Sequence, residues 1–146
     1  MGKVTGFKEF ERLSEGNLPV QERVQNYKEF VLHLTDDEAK QQGIHPFAAI
    51  LVDDKDNVIM SQVNGYLPDF DMTGHAERKL MTRASKAHRP DFLAKCTMYV
   101  SAEPCAMCAG AAYWAGLGRI VYGLSEARLK EITGNHPENP TLDLPC

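Results

Sequence analysis

Two short clusters of metal-ligand residues have to meet for this chain to make chemical sense, and that requirement narrows its possible folds more than anything else in it. The first cluster is His75-Ala76-Glu77 and the second is Pro104-Cys105-Ala106-Met107-Cys108. Each opens a stretch of helical character, and the 26 residues between Glu77 and Pro104 leave room for one helix and one strand. Cysteines at i and i+3 on the first turn of a helix project from one face. The positive end of the helix favours their thiolates, the form that binds metal. One imidazole added to two thiolates makes three ligands for Zn2+. Three protein ligands leave a fourth tetrahedral position for water, as in catalytic zinc sites. Glu77 is two positions from His75, so it is expected to point elsewhere and to handle that water's protons rather than ligate.

Simpler readings exist for each piece. A lone Cys-x-x-Cys fits a redox pair or half of a structural zinc site. No second Cys-x-x-Cys completes a four-ligand site, and a redox pair leaves His-Ala-Glu unexplained. Cys96 opens a strand and is expected to be a buried thiol; Cys146 is incidental. His33 falls within a helix, and His45, His88 and His136 lie near element ends, where solvated or capping roles are expected. Glu103, beside the cysteines, is a candidate to orient a ligand or its loop.

The elements follow from periodicity. Residues 1–16 are polar and glycine-punctuated, expected as a short helix or a loose arm. Asn17 can cap a helix with Pro19 in its first turn, along which Val20, Val24, Tyr27, Val31 and Leu34 recur at helical steps. A capping-box pattern at 35–38 starts a second helical segment that stops at Gly43. After Pro46, residues 47–52 and 58–63 read as strands joined by a turn at 53–57, an antiparallel hairpin. Residues 75–88 read as a helix with Ala76, Leu80, Ala84 and Ala87 on one face, ended by Pro90. Then come a strand at 97–101, a small-residue helix at 105–115 and a strand at 119–122. A helix capped by Ser125 ends at Gly134. The order α-β-β-α-β-α-β-α predicts an α/β domain, with a mixed sheet in a three-layer α/β/α sandwich.

The chain's 146 residues are about one domain's worth, so 1–146 is taken as a single domain. The formal charge of −4 argues against a protein built to coat nucleic acid, and favours a small substrate. The longest strongly apolar run, 47–52, is far short of the roughly 20 residues of a membrane helix. With no secretory signal visible, a cytoplasmic location is expected.

The two clusters, in this order and with Pro104 directly before Cys105, resemble the cytidine deaminase-like zinc hydrolases. That signature is an established one, so its meaning comes from the likeness and not from spacing alone. The resemblance runs from about Pro46 to about Gly123. It includes Pro46-Phe47-Ala48-Ala49, Asn64 after the second strand, and Asp71-x-Thr73 before His75. The stretch from Ser101 to Ala111 is most similar to the branch holding tRNA adenosine deaminases, guanine deaminases and yeast-type cytosine deaminase. The small cytidine deaminases usually carry Cys in place of His75.

The resemblance implies the cytidine deaminase-like three-layer fold and hydrolytic deamination. Zn2+ held by His75, Cys105 and Cys108 would activate the water that attacks an amine-bearing ring carbon, and Glu77 would carry the protons. Asn64 matches a position whose amide bonds the base or ribose. The Ala76 backbone and Ser101-Ala102 would line the pocket. Tyr113-Trp114 departs from tRNA adenosine deaminases and resembles guanine deaminases. Trp114 could stack on a base, pack in a core or contact a second subunit. Relatives usually continue into a fifth strand, a place the segment 141–144 could take. The expected function is deamination of a free nucleobase or nucleoside by a homodimer. The alternatives are adenosine-to-inosine editing of tRNA, and a zinc-bearing interaction module without catalysis. Retention of Glu77 speaks against the last.

Overall fold

The computed structural model describes residues 3–6 and 47–133. The helices expected over 17–34 and 35–43, along with Pro46, His33, His45, Asn135, His136, Glu138, the segment 141–144 and Cys146, lie outside them. The described strands are β1 (Lys3–Gly6), β2 (Ala48–Val52), β3 (Val58–Val63), β4 (Thr97–Ala102) and β5 (Arg119–Leu124). The helices are α1 (Ala76–Ala87), α2 (Pro90–Leu93), α3 (Ala106–Ala115) and α4 (Glu126–Thr133).

Strand β2 is Ala-Ala-Ile-Leu-Val, with no polar side chain to present to water, and it is buried along its whole length. It therefore takes an interior place in the sheet, whose order is β1-β5-β4-β2-β3. The hairpin partner β3 is more exposed and forms an edge. Asp53 shapes the turn between them: its Oδ1 accepts the backbone N–H groups of Lys55 and Asn57, each at 2.9 Å. β2 pairs antiparallel with β3 and with β4, while β4, β5 and β1 run parallel.

Side-chain alternation splits the sheet into two faces. Ala49, Leu51, Met98, Val100 and Ile120 join Leu80, Met81 and Ala112 in the main core. Ile50, Tyr99 and Val121 point the other way and are buried as well. A sheet buried on both faces is the signature of a layered α/β domain.

This topology brings the two clusters together. β3 and β4 each pair antiparallel with β2, so they run parallel to one another, and α1 joins them. β4 and β5 are parallel and joined by α3. Both connections step the same way across the sheet. Right-handed crossovers therefore place both helices on one face with their N-termini at the same end. The contact between α1 and α3 agrees with this.

Two expectations need correction, and one short helix was not expected. Lys3–Gly6 is neither helix nor loose arm but an edge strand, with Lys3 opposite Arg119 and Gly6 opposite Tyr122. It lies on the outer side of β5. Ala87 is exposed; the buried face of α1 is Ala76, Glu77, Leu80, Met81 and Ala84. Pro90 both ends the approach from α1 and opens the single turn of α2, where its missing N–H costs nothing. No described helix is long and apolar enough to cross a membrane.

Helix α3 ends at Gly116 in the left-handed conformation, φ 81°, with the Leu117 N–H donating back to the Ala112 carbonyl at 3.0 Å. Two residues on, a Cβ on Gly118 would overlap the Ala94 carbonyl oxygen, which is backbone and cannot swing away. Gly118→Ala should therefore cost about 1–3 kcal/mol by forcing the α2–β4 connection off β5. An unchanged melting temperature would contradict this close approach.

Candidate active site

His75 is the residue before α1, with extended backbone (φ −61°, ψ 148°). Cys105 holds the same place before α3 (φ −67°, ψ 170°), and Cys108 lies three residues on, inside the first turn. The convergence of the two helix starts brings their side chains into a triangle. Cys105 Sγ is 3.5 Å from His75 Nδ1, Cys108 Sγ is 3.6 Å from the same nitrogen, and the two sulfurs are 3.6 Å apart. Among the described residues this is the one cluster of three metal-ligand side chains.

These separations fit zinc. Tetrahedral bonds of about 2.3 Å to sulfur and about 2.0 Å to nitrogen place ligand atoms roughly 3.5–3.8 Å apart. Two thiols and an imidazole are also the donor set that zinc prefers among hard and soft cations.

Glu77 corrects the expectation that its side chain points away from His75. Because His75 precedes the helix, the angular spacing of helical positions does not apply to the pair. Glu77 is 5% exposed, and its carboxyl approaches Cys108, with Oε2 at 3.7 Å from Sγ. It thus faces the same cluster without belonging to the triangle.

The electrostatics follow from burial and from the short contacts. The short contact with the Cys108 sulfur holds Cys105 down to about 4, against the opposing effect of burial and with His75 helping. Cys108 is pushed up by the same contact with Cys105 and by burial. The bond to Cys105 raises His75, outweighing its burial. Burial lifts Glu77 to about 7, the range in which a carboxyl exchanges protons near neutrality. A divalent cation at the triangle would favour both thiolates and release their protons on binding.

The remaining sequence candidates divide. Ala76 is fully buried at the first helical position, between His75 and Glu77. Asn64 is buried at the end of β3, its N–H donating to the Phe47 carbonyl at 3.1 Å and its Oδ1 accepting the Tyr66 N–H at 2.9 Å. Ser101 Oγ accepts the Ala48 N–H at 3.2 Å, tying β4 to the start of β2. Trp114 is 85% exposed and stacks edge-on with Tyr113, so it is not a core residue. It lies six residues beyond Cys108, about 9 Å along the helix, and is not brought into the triangle. Glu103 is buried, and its Oε2 accepts the Glu126 N–H at 2.9 Å. It binds the loop carrying Cys105 to the start of α4.

Sequence reasoning missed Arg78, whose guanidinium bonds the Thr73 carbonyl and reaches Asp71 at 3.1 Å. The pattern Asp71-x-Thr73, typical of a side-chain-capped turn, was the available signal.

The model of the cytidine and deoxycytidylate deaminase zinc-binding region matches residues 22–124. A probable cytosine deaminase of Schizosaccharomyces pombe is 47% identical over 105 residues, 72% of this chain and 63% of that protein. A tRNA-specific adenosine deaminase of Haemophilus influenzae is 38% identical over 90 residues, 62% of this chain and 52% of that protein. The chain thus spans between half and two thirds of the length of these relatives. The crystal structure of guanine deaminase from Bacillus subtilis superposes with a TM-score of 0.64 at 30% identity, covering 75% of this chain and 69% of that one. The expected resemblance and its branch are borne out, as is the expected fold. With His75, Cys105 and Cys108 gathered where two helix starts meet and a family match over most of its length, the chain belongs to the cytidine and deoxycytidylate deaminase zinc-binding family.

Proposed function

We propose that this protein is a zinc-dependent hydrolytic deaminase of a free nucleobase or nucleoside. The observation that carries the reading is the buried carboxyl of Glu77 beside the triangle of His75, Cys105 and Cys108. Burying a carboxyl is costly, and a purely structural zinc site gains nothing from it. Zinc held by these three side chains would supply Lewis-acid activation of a water molecule in the open fourth position.

The chain's own residues then have separate tasks. Glu77 takes a proton from the water as its oxygen bonds to the amine-bearing ring carbon. It delivers that proton to a ring nitrogen, and carries the next one to the departing amine. The carbon–nitrogen bond breaks, ammonia leaves and the ring keeps a carbonyl. One carboxyl titrating near neutrality can both accept and donate in this sequence. With its Oδ1 taken by Tyr66, Asn64 offers its amide nitrogen as a donor to an acceptor on the base. The buried Ala76 backbone lines the pocket beside it.

The relatives named for cytosine and guanine deamination support a small base as substrate, as does the net charge of −4. The reading treats 1–146 as one domain working as a homodimer, for which the exposed Tyr113–Trp114 pair is the supporting surface. It places the protein in the cytoplasm, where thiol ligands stay reduced. The relative named for tRNA favours a second reading, adenosine editing in tRNA.

Ammonia release from cytosine, guanine, adenine, their nucleosides and tRNA separates these. At least one free base or nucleoside should be turned over, at a rate changing less than about twofold between 50 and 200 mM salt. Deamination confined to tRNA, with affinity falling about 10³-fold or more over that range, would sink the small-substrate reading.

A further inference from the structure

The ten residues between Asn64 and His75 form a loop closed at its base. Gly65 donates its N–H to the Gly74 carbonyl at 2.6 Å, and both glycines are buried. A Cβ on Gly74 would sit 2.6 Å from the Gly65 carbonyl oxygen, and one on Gly65 would overlap the Lys79 side chain. Backbone crowding therefore requires glycine at position 74, while the flexible Lys79 side chain can move aside from a Cβ on Gly65. The bond between the two glycines joins the residue after Asn64 to the residue before His75.

Above the base, a chain of hydrogen bonds runs from α1 back to the Asn64 side chain. The Arg78 guanidinium forks onto two acceptors, the Thr73 carbonyl through Nε and Asp71 Oδ2 at 3.1 Å. Asp71 Oδ1 accepts the Thr73 N–H at 2.9 Å and its hydroxyl at 2.7 Å. The Asp71 N–H donates to the Tyr66 carbonyl at 2.9 Å, and the Gly74 N–H to the Asp71 carbonyl at 2.9 Å. The Tyr66 N–H in turn donates to Asn64 Oδ1. Tyr66 is thus held at both ends, by Asp71 on one side and by Asn64 on the other.

The last bond sets the chemistry of Asn64. A backbone N–H can only donate, so the side-chain atom facing it must be the amide oxygen. The nitrogen, which has no partner among the described residues, is left as the outward donor. The loop does not adopt this shape freely. Phe70 sits at φ 58°, a left-handed conformation uncommon for a bulky side chain, and so needs its surroundings to hold it.

We propose that Arg78 is a positioning residue for substrate recognition: by gripping Asp71 and Thr73 it keeps Tyr66 in place, and through Tyr66 it fixes the orientation of the Asn64 amide. This rests on the deaminase reading for Asn64's contact with the base, but the grip on the loop stands without it. Lysine has one charged centre and no planar fork, so it cannot serve both acceptors in the same geometry. Arg78 touches neither the ligand triangle through its side chain nor the reacting atoms, so its loss should affect binding and leave the chemical step intact.

The test is a double-mutant cycle between Arg78→Lys and Asn64→Ala, read on whichever of cytosine, guanine or their nucleosides the wild type deaminates. Arg78→Met serves as a second variant, and zinc content is measured on each. Arg78→Lys should raise KM about tenfold or more with kcat within about threefold and zinc unchanged. In the Asn64→Ala background the same substitution should change KM less than about twofold, because its effect passes through Asn64. An equal change in both backgrounds, an unchanged KM, or a fall confined to kcat would overturn the proposal. Amide exchange on the zinc-loaded protein gives a reading independent of activity. The Gly65 and Tyr66 amides should exchange about tenfold faster or more in Arg78→Lys, while Ile50 and Val100 in the sheet keep their protection. If the wild type deaminates nothing in the panel, the deaminase reading fails while exchange still judges the grip. If exchange at Gly65 and Tyr66 is unaltered, the grip itself is wrong.

Discussion

Glu77→Gln should keep one zinc per chain and a melting temperature at or above that of the wild type, while turnover falls about 10³-fold or more. A general acid–base group is typically worth about 10²–10⁴ in rate, and a carboxyl used for two successive transfers belongs at the upper end. Gln matches Glu in shape, so the packing of the buried side chain against α3 should survive. It also removes a titrating group from a buried site. Burial holds the Glu77 carboxyl up at about 7, so in the metal-free protein its ionisation costs stability as pH rises from the ordinary carboxyl range through 7. The metal-free Gln variant escapes that loss and should gain on the wild type between pH 5 and pH 8. Zinc content, melting curves and ammonia release on one preparation check all three points. Near-normal turnover would remove Glu77 from proton transfer; loss of zinc would make it a ligand or a support for one.

Cys105→Ala and Cys108→Ala should each abolish zinc retention and turnover together. The sulfurs and the His75 nitrogen stand within 3.6 Å of one another, so either loss leaves two donors where three are needed. Affinity should fall by more than the roughly 10–100-fold that loss of a supporting residue costs. Cys96→Ala is the control. Its thiol is buried, donates to the Phe92 carbonyl at 3.5 Å and is pushed up to about 11 by burial, which makes it inert. That variant should hold zinc like the wild type. Full zinc retention in both Cys105→Ala and Cys108→Ala would dismantle the site.

Much of this was legible in the chain because local chemistry carried it. The hairpin bounds, the helix after His75 and the Ser125 cap all express periodicity or turn residues within a short window. Ser125 Oγ does accept the Arg128 N–H, at 3.2 Å. The cluster of His75, Cys105 and Cys108 was legible because the two motifs occur together, each at a helix start; the Cys-x-x-Cys alone fits other uses as well. What escaped depended on distant partners. β1 has four residues, too few to show a period, and it exists by pairing with β5 more than a hundred residues away. The direction of Glu77 was misjudged because His75 was counted as helical, and only its backbone dihedrals place it before the helix. The Arg78–Asp71 grip joins residues seven apart across a loop, a spacing that no repeat pattern marks. Trp114 remained open between core, base and subunit in the sequence; its exposure removes the first.

The most direct measurement compares ammonia release by one preparation in three states: zinc-loaded, stripped by a chelator, and reloaded with zinc. The panel is cytosine, guanine, adenine and their nucleosides, with zinc counted per chain in each state. The account predicts turnover of at least one of them by the loaded protein, its loss on stripping and its return with one zinc per chain. A folded protein holding one zinc per chain that releases no ammonia from any of them would contradict it, as would full turnover after the zinc is gone.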